Sequence, residues 1–156
     1  MATRTRTRGT GPPETLPQAL RAPLRGWSWI PARDAARLPA EPGAYLLLLR
    51  LARARRLSIG AAGERRLEPG WYLYAGSARG PGGLAARVGR HLRGPGRVRW
   101  HVDHLRQVMS ARGAWVRPGG DSCAALAEIV SAGVGQTVPG IGASDCPNCA
   151  SHVIRL

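Results

Sequence analysis

Short apolar runs alternate with glycine-rich and arginine-rich stretches in the middle of the chain. Residues 44–51 (AYLLLLRL) form an apolar run of strand length directly after a proline and a glycine, which predicts a buried central strand. Residues 56–61 (RLSIGA) and 71–75 (WYLYA) carry β-branched or aromatic side chains and predict two further strands. Three antiparallel strands in one small sheet are the simplest arrangement of these runs.

Helical periodicity follows the predicted strands. Leu84, Val88 and Leu92 recur at every fourth position, which predicts an apolar stripe on a helix that ends at Gly94. The expected fold class is therefore α+β, a small antiparallel or mixed three-stranded sheet flanked by helices. Further along, the pattern predicts a helix over 100–109, a strand over 114–117 and a helix over 123–131 with Asp121 or Ser122 as its N-cap.

Both ends of the chain lack apolar periodicity. Residues 1–25 carry mostly Arg, Thr, Pro and Gly, and such a composition cannot bury enough surface to offset its ordering entropy. We interpret this stretch as a flexible basic arm and residues 26–156 as the folded domain. Residues 133–151 are rich in Gly, Ser, Pro and Cys, which predicts a C-terminal loop held by something other than a hydrophobic core.

Charge narrows the choice of partners. The chain of 156 residues has 23 basic and 9 acidic side chains, a formal net charge of +14, and every basic residue is Arg. A surface with this excess attracts polyanions at physiological salt. Acidic partners are the default expectation.

The sequence also bears on location and redox state. No apolar run approaches the roughly 20 residues of a membrane span, and the charged N-terminus is not followed by the apolar stretch of a secretory signal. Three cysteines cannot all pair within one chain, which favours reduced thiols. We therefore expect a cytoplasmic protein that does not enter membranes.

Two tyrosines with nearby glycines stand out as candidate chemistry. Gly43 and Tyr45 open one predicted strand, and Tyr74 and Gly76 close another, so neighbouring strands would place two phenols beside a glycine loop, where a phosphate could approach the backbone. Arg87 lies beside the helical stripe, where partial desolvation would strengthen a contact to phosphate. Half-buried strand aromatics and a solvated helix arginine are the alternative interpretations.

The order Gly-x-Tyr, Tyr-x-Gly and Leu-x-x-Arg resembles the GIY-YIG nuclease superfamily, with Ala44 and Ala75 in place of the two isoleucines. The closer resemblance is to a subgroup long catalogued as a domain of unknown function. It lies in YLYAGSARGPGGLAARVGRHL (72–92), RWHVDHL (99–105) and GIGASDCPNCASHV (140–153). The resemblance covers about residues 41–156.

This resemblance implies hydrolysis of a phosphodiester with one divalent metal ion, Mg²⁺ or Mn²⁺. Tyr45 and Tyr74 would orient or deprotonate a water, Arg87 would stabilise charge on the phosphate, and His91 lies one helical turn after Arg87. Further residues are expected to contact nucleic acid: Gly76, Ser77, Arg79, Arg90 and His101.

The metal ligand departs from the subgroup's pattern. The subgroup predicts a Glu directly before Cys123, where this chain has Ser122. Hard divalent ions prefer carboxylate oxygen, so Asp121 or Glu128 would have to substitute. If Asp145 instead reaches the site, the tail contributes to function directly.

The C-terminal tail carries a second group of candidate functional residues. Cys146, Cys149 and His152 follow a Cys-x-x-Cys-x-x-His spacing, and Cys123 opens a predicted helix. Three thiolates and an imidazole are the ligand set of a closed tetrahedral zinc site, which would attach the tail to that helix. Inert buried thiols are the alternative interpretation.

Three hypotheses follow. The first is a metal-dependent GIY-YIG-type endonuclease that hydrolyses phosphodiester bonds in DNA, as in repair or recombination. DNA is favoured over RNA as its substrate. The second is a nucleic-acid-binding module of the same fold that does not cut, because the expected Glu is missing at Ser122. The third is a zinc-stapled interaction domain whose positive charge is incidental.

Overall fold

A mainly apolar strand lies inside a six-stranded antiparallel sheet. The computed structural model describes residues 9–94, 96–142, 146 and 148–156. The strands of this sheet are β1 (Ser28–Pro31), β2 (Gly43–Leu51), β5 (Gly70–Ala78), β6 (Ser110–Pro118), β7 (Gln136–Thr137) and β8 (Val153–Arg155). Their order in the sheet is β1-β6-β2-β5-β8-β7, and every neighbouring pair is antiparallel.

Strand β2 distributes its side chains to both faces of the sheet. Tyr45, Leu47 and Leu49 enter one hydrophobic core, whereas Leu46 and Leu48 enter the other. This alternation follows from the two-residue period of a strand. A strand covered on both faces reads as a continuous apolar run, which is why the sequence pattern located β2 correctly.

Each face of the sheet is covered by different elements. Helices α1 (Gly83–Arg93) and α2 (His101–Arg106) pack on the face that carries Tyr45, whereas α3 (Ser122–Ser131) packs on the opposite face. The apolar stripe predicted for α1 is confirmed, since Leu84 and Val88 are buried. Asp121 is the N-cap of α3, because its Oδ1 accepts hydrogen bonds from the backbone N–H groups of Cys123 and Ala124 at 2.9 and 3.2 Å.

The prediction of a three-stranded sheet is wrong. Strand β3 (Arg55–Ser58), placed in that sheet by the sequence pattern, pairs instead with β4 (Glu64–Leu67) in a separate two-stranded hairpin. The pairing is local: only residues 59–63 separate the two strands, so β3 finds its partner in the adjacent segment of the chain. Three strands of two to four residues, β1, β7 and β8, are too short to show a pattern.

The N-terminal arm is packed over part of its length. Leu20 and Leu24 are 3% and 7% exposed and join the core on the α3 side of the sheet. Residues 18–21 form a short 3-10 helix, so the predicted lack of core contacts is wrong for this part of the arm. Residues 1–8 lie outside the described part of the chain.

Among the described residues, no helix combines the length and apolar character needed to span a bilayer.

Candidate functional site

Residues from both motifs and from the tail line one cleft of about 370 Å³. Its lining residues are Tyr45, Tyr74, Gly76, Ser77, Arg79, Arg87, His91, Trp100, Val102, Ser122, Cys123, Gly142, Cys146 and His152. A larger hollow of about 590 Å³ lies between the N-terminal segment and Trp115 and contains none of these residues.

Strand register brings the two tyrosines together. Tyr45 on β2 faces Gly76 on β5, and the two tyrosine ring centroids lie 6.4 Å apart. A Cβ atom on Gly76 would overlap with the Tyr45 ring. The glycine of the second motif therefore makes room for the tyrosine of the first, which is a packing reason that the sequence interpretation missed.

Tyr45 is joined to a buried histidine of α1. Its hydroxyl lies 3.1 Å from Nε2 of His91, and Nδ1 of His91 is buried without a hydrogen-bond partner in the described structure. Burial raises the pKa of Tyr45 well above 10 and lowers the pKa of His91 to about 4. Both groups are therefore neutral at neutral pH, and Tyr45 is a fixed hydrogen-bonding group rather than a ready base.

Arg87 is a half-buried cation in the cleft. One guanidinium N–H donates to the Ser77 carbonyl at 3.2 Å, and the guanidinium carbon lies 4.6 Å from the centroid of Trp100. No carboxylate among the described residues forms an ion pair with it. Arg87 can therefore present its remaining N–H groups to an anion.

Arg90, one turn later, lies outside the lining of this cleft and forms an ion pair with Asp103. Its guanidinium donates to both carboxylate oxygens of Asp103 at 3.0 and 3.1 Å, and it does not line the cleft. Burial would raise the pKa of Asp103, but hydrogen bonds from Arg90 and from the backbone N–H groups of Trp100 and Arg99 lower it on balance. Arg90 therefore fixes the start of α2.

Of the other residues predicted to contact nucleic acid, some line the cleft and one lies outside it. Ser77 and Arg79 line the cleft, and the Ser77 hydroxyl lies 3.2 Å from that of Ser122. His101 lies outside the lining, and its Nδ1 accepts a hydrogen bond from the Gly142 backbone at 2.6 Å. His101 therefore connects α2 to the tail.

The two predicted metal-binding carboxylates are not in this cleft. Asp121 and Glu128 line a separate hollow of about 250 Å³, and the Asp121 carboxylate caps α3. Ser122, which replaces the expected Glu, does line the cleft. Asp145 lies outside the described residues. The described lining offers hydroxyl, imidazole, thiol and guanidinium groups but no carboxylate, so it does not fit Mg²⁺ or Mn²⁺, which prefer carboxylate oxygen.

The four predicted soft ligands do come together. One ligand atom from each of Cys123, Cys146, Cys149 and His152 lies within 4.8 Å of all the others. The Cys123 sulfur is 3.5 Å from the Cys146 sulfur and 3.7 Å from Nε2 of His152. Metal–sulfur bonds of about 2.3 Å at tetrahedral angles give ligand separations of about 3.7 Å. The cluster therefore has the composition and size of a four-coordinate site for a soft metal ion.

The family assignment follows from the same stretch of chain. The family described as Domain of unknown function DUF123 matches residues 44–156. The chain belongs to this family. The DUF123 match contains every residue of the cleft and of the cysteine cluster. No curated protein and no solved structure matches the chain.

The sequence interpretation missed one prominent aromatic residue of this DUF123 domain. Trp100 contacts Arg87 and Arg90 and lies edge-on to His91 at a centroid distance of 6.2 Å. The resemblance of the segment RWHVDHL assigns no role to this tryptophan. Its signal in the sequence is an aromatic side chain directly after Arg99 in a strongly basic chain.

Proposed function

We propose that this protein is a GIY-YIG-type endonuclease that binds DNA in the cleft and hydrolyses a phosphodiester bond there. The observation that carries the proposal is the convergence of Tyr45, Tyr74, Arg87 and His91 on one cleft. Tyr45, Tyr74 and Arg87 match the superfamily's motifs, and His91 lies one helical turn after Arg87. The four residues come from two strands and a helix.

Arg87 is the proposed phosphate-binding group. It lacks a carboxylate partner among the described residues, and a guanidinium binds phosphate with paired N–H groups. The net charge of +14 adds long-range attraction for the nucleic-acid backbone. Phosphoryl transfer depends mainly on positioning and on neutralising charge, which is what such a residue supplies.

The tyrosines would position the reacting groups. Tyr45 and neutral His91 form a fixed hydrogen-bonded pair, and Tyr74 lies next to Tyr45 on the neighbouring strand. We assign to Tyr74 the contact with the attacking water or with the leaving oxygen.

The cysteine cluster would hold one zinc ion in this proposal. Three thiolates and an imidazole complete the four-ligand shell of a structural zinc site, and the ion would attach the tail to the start of α3. Purified protein should then contain one equivalent of zinc. Replacing the zinc by Co²⁺ should give the absorption spectrum of tetrahedral thiolate coordination. His152→Gln should weaken metal binding, whereas His104→Gln should not.

A second candidate function is nucleic-acid binding without cleavage. It is favoured by the absence of a carboxylate from the described cleft lining, which leaves a hard metal ion without its preferred ligand. In that case affinity would depend on salt but not on Mg²⁺ or Mn²⁺.

The deciding experiment measures binding and cleavage together. Labelled duplex, nicked, branched and single-stranded DNA are incubated with the protein, with and without Mg²⁺ or Mn²⁺. Arg87→Gln should lower cleavage about 100-fold or more and reduce the salt slope of binding by about one. Arg93→Gln, which removes the same charge from an exposed position of α1, should remain close to wild type.

Three outcomes separate the hypotheses. Cleavage that Arg87→Gln and Tyr74→Phe abolish supports the nuclease. Binding that Arg87→Gln weakens, without cleavage under any metal condition, replaces it with the binding module. No binding at low salt rejects both and leaves the zinc-stapled interaction domain.

A further inference from the structure

A second hollow of about 200 Å³ adjoins the cleft. Arg87 and Trp100 line both spaces and therefore form the ridge between them. The hollow has a further wall at Arg90. The rest of its lining consists of small or apolar residues: Gly80, Pro81, Gly83 and Ala86.

The indole of Trp100 is held in place from two directions. The backbone N–H of Trp100 donates to the Asp103 carboxylate at 2.9 Å. The Arg87 and Arg90 guanidinium carbons lie 4.6 and 4.7 Å from the centroid of the indole ring. Arg90 is itself bound to Asp103 through two hydrogen bonds. Trp100 nevertheless remains 37% exposed, so part of this preorganised residue is accessible in the hollow beside the proposed phosphate site.

We infer that this hollow accepts one unpaired nucleobase, stacked on Trp100, next to the phosphate that Arg87 binds. This inference rests on the proposed function and names its substrate class: nucleic acid with an unpaired nucleotide at the site, such as a single strand, a flap or a branch. Nucleobases stack on aromatic side chains and on arginine planes in this way.

The size and lining of the hollow support a single base. Its volume of about 200 Å³ is below the roughly 300–1,000 Å³ of sites for drug-sized ligands, so it suits one ring system rather than a larger ligand. Glycine, proline and alanine have little side chain to obstruct a flat ring. A paired base in a duplex cannot enter such a space without leaving its stack.

The test uses a variant that fills the hollow without changing its charged residues. Ala86 is exposed on α1 and lines the hollow, so Ala86→Leu should obstruct it and leave the Arg87 side chain intact. Ala127→Leu makes the same change at an exposed position of α3. Trp100→Ala removes the stacking surface, and Trp100→Phe keeps an aromatic ring.

Affinity is measured by fluorescence anisotropy for four DNA substrates. They are a single strand, a blunt duplex, a duplex with a single-stranded flap, and the same duplex with a flap made of abasic nucleotides. Wild type should bind the base-containing flap and the single strand more tightly than the blunt duplex. Ala86→Leu and Trp100→Ala should weaken binding to the unpaired substrates about five- to 100-fold and leave duplex binding nearly unchanged. Trp100→Phe should retain most of the affinity, and Ala127→Leu all of it.

The outcomes distinguish this inference from the proposed function. Equal binding of the abasic and base-containing flaps, or equal losses for duplex and flap in Ala86→Leu, would overturn the inference while nucleic-acid binding stands. No binding by wild type would overturn both.

Discussion

Two of the walls of the cleft are built in different ways. The helix wall is α1, residues 83–93, whose Leu84, Val88 and Leu92 are buried against the sheet. The tail wall is formed by the described residues of the segment 138–152, namely 138–142, 146 and 148–152, among which Ile141 is the one buried hydrophobic residue. Backbone hydrogen bonds also fix the tail, including that from the His152 N–H to the Ile141 carbonyl at 2.8 Å.

The contrast shows two ways of fixing side chains around a cleft. Apolar burial holds the helix wall and with it Arg87 and His91, because each buried Leu or Val contributes on the order of 1.5–3 kcal/mol. The tail wall has little of this, but it carries three of the four clustered Cys/His ligands, and the fourth, Cys123, lies on α3. The helix wall should therefore be stable without metal, and the tail wall should not. The predictions below test this difference, from the largest expected effect to the smallest.

Metal removal should affect the tail wall most. In the proposed zinc-bound protein, stripping the ion should lower the free energy of unfolding by more than about 4 kcal/mol, as loss of a structural metal does. Hydrogen exchange should accelerate at residues 138–152 and change little in α1. Cys149→Ser should reproduce the effect without chelator, and equal acceleration in α1 and the tail would contradict the comparison.

Acid should weaken the helix wall through His91. The pKa of its imidazole is lowered to about 4 by burial, so between pH 6.5 and 4 the unfolded chain takes up a proton that the folded protein does not. Stability should therefore fall as the pH drops through this window, by on the order of 3 kcal/mol in total, and should be unaffected by His91 above about pH 7.

Denaturant unfolding of wild type and His91→Gln at pH 7 and pH 4 measures this effect. The comparison removes the general acid sensitivity that both proteins share through their net charge. A wild type that loses no more stability than His91→Gln would refute a buried neutral histidine.

Packing between the motifs should be sensitive to a single methyl group. Gly76→Ala should cost about 1–3 kcal/mol, because the new Cβ would overlap with the Tyr45 ring. Gly80→Ala, where a Cβ meets open space, should change stability by less than about 0.5 kcal/mol. Urea unfolding of the two variants would show whether Gly76 has this packing role, and equal losses would exclude it.

The smallest effect concerns the start of α3, which carries Cys123 into the tail wall. Asp121→Ala should destabilise the protein by about 1 kcal/mol, because it removes the side-chain cap of this helix. Glu128→Gln, at an exposed position of the same helix, should stay within about 0.5 kcal/mol. Thermal unfolding of both variants tests whether Asp121 caps the helix. A loss of stability in Glu128→Gln without a loss in Asp121→Ala would contradict this assignment.

Sequence pattern located the elements that bury continuous or periodic apolar surface. The run in β2 and the stripe of Leu84, Val88 and Leu92 each predicted their element correctly, because such periods reflect burial directly. Strands β7 and β8 span only two and three residues and exist through pairing with distant partners. No local pattern could have shown them.

For the candidate site too, the sequence determined one part and the tertiary structure another. The sequence alone determined which residue types are available: two tyrosines beside glycines, Arg87 and His91 one turn apart, and a Cys/His set with metal-ligand spacing. Only the tertiary structure decided that Arg90 pairs with Asp103 while Arg87 does not, that Asp121 caps a helix away from the cleft, and that Trp100 lies over both arginines. The cap itself is local and follows from the sequence, but the ion pair, the stacking and the place of the capped helix depend on how separate elements pack, which spacing along the sequence does not encode.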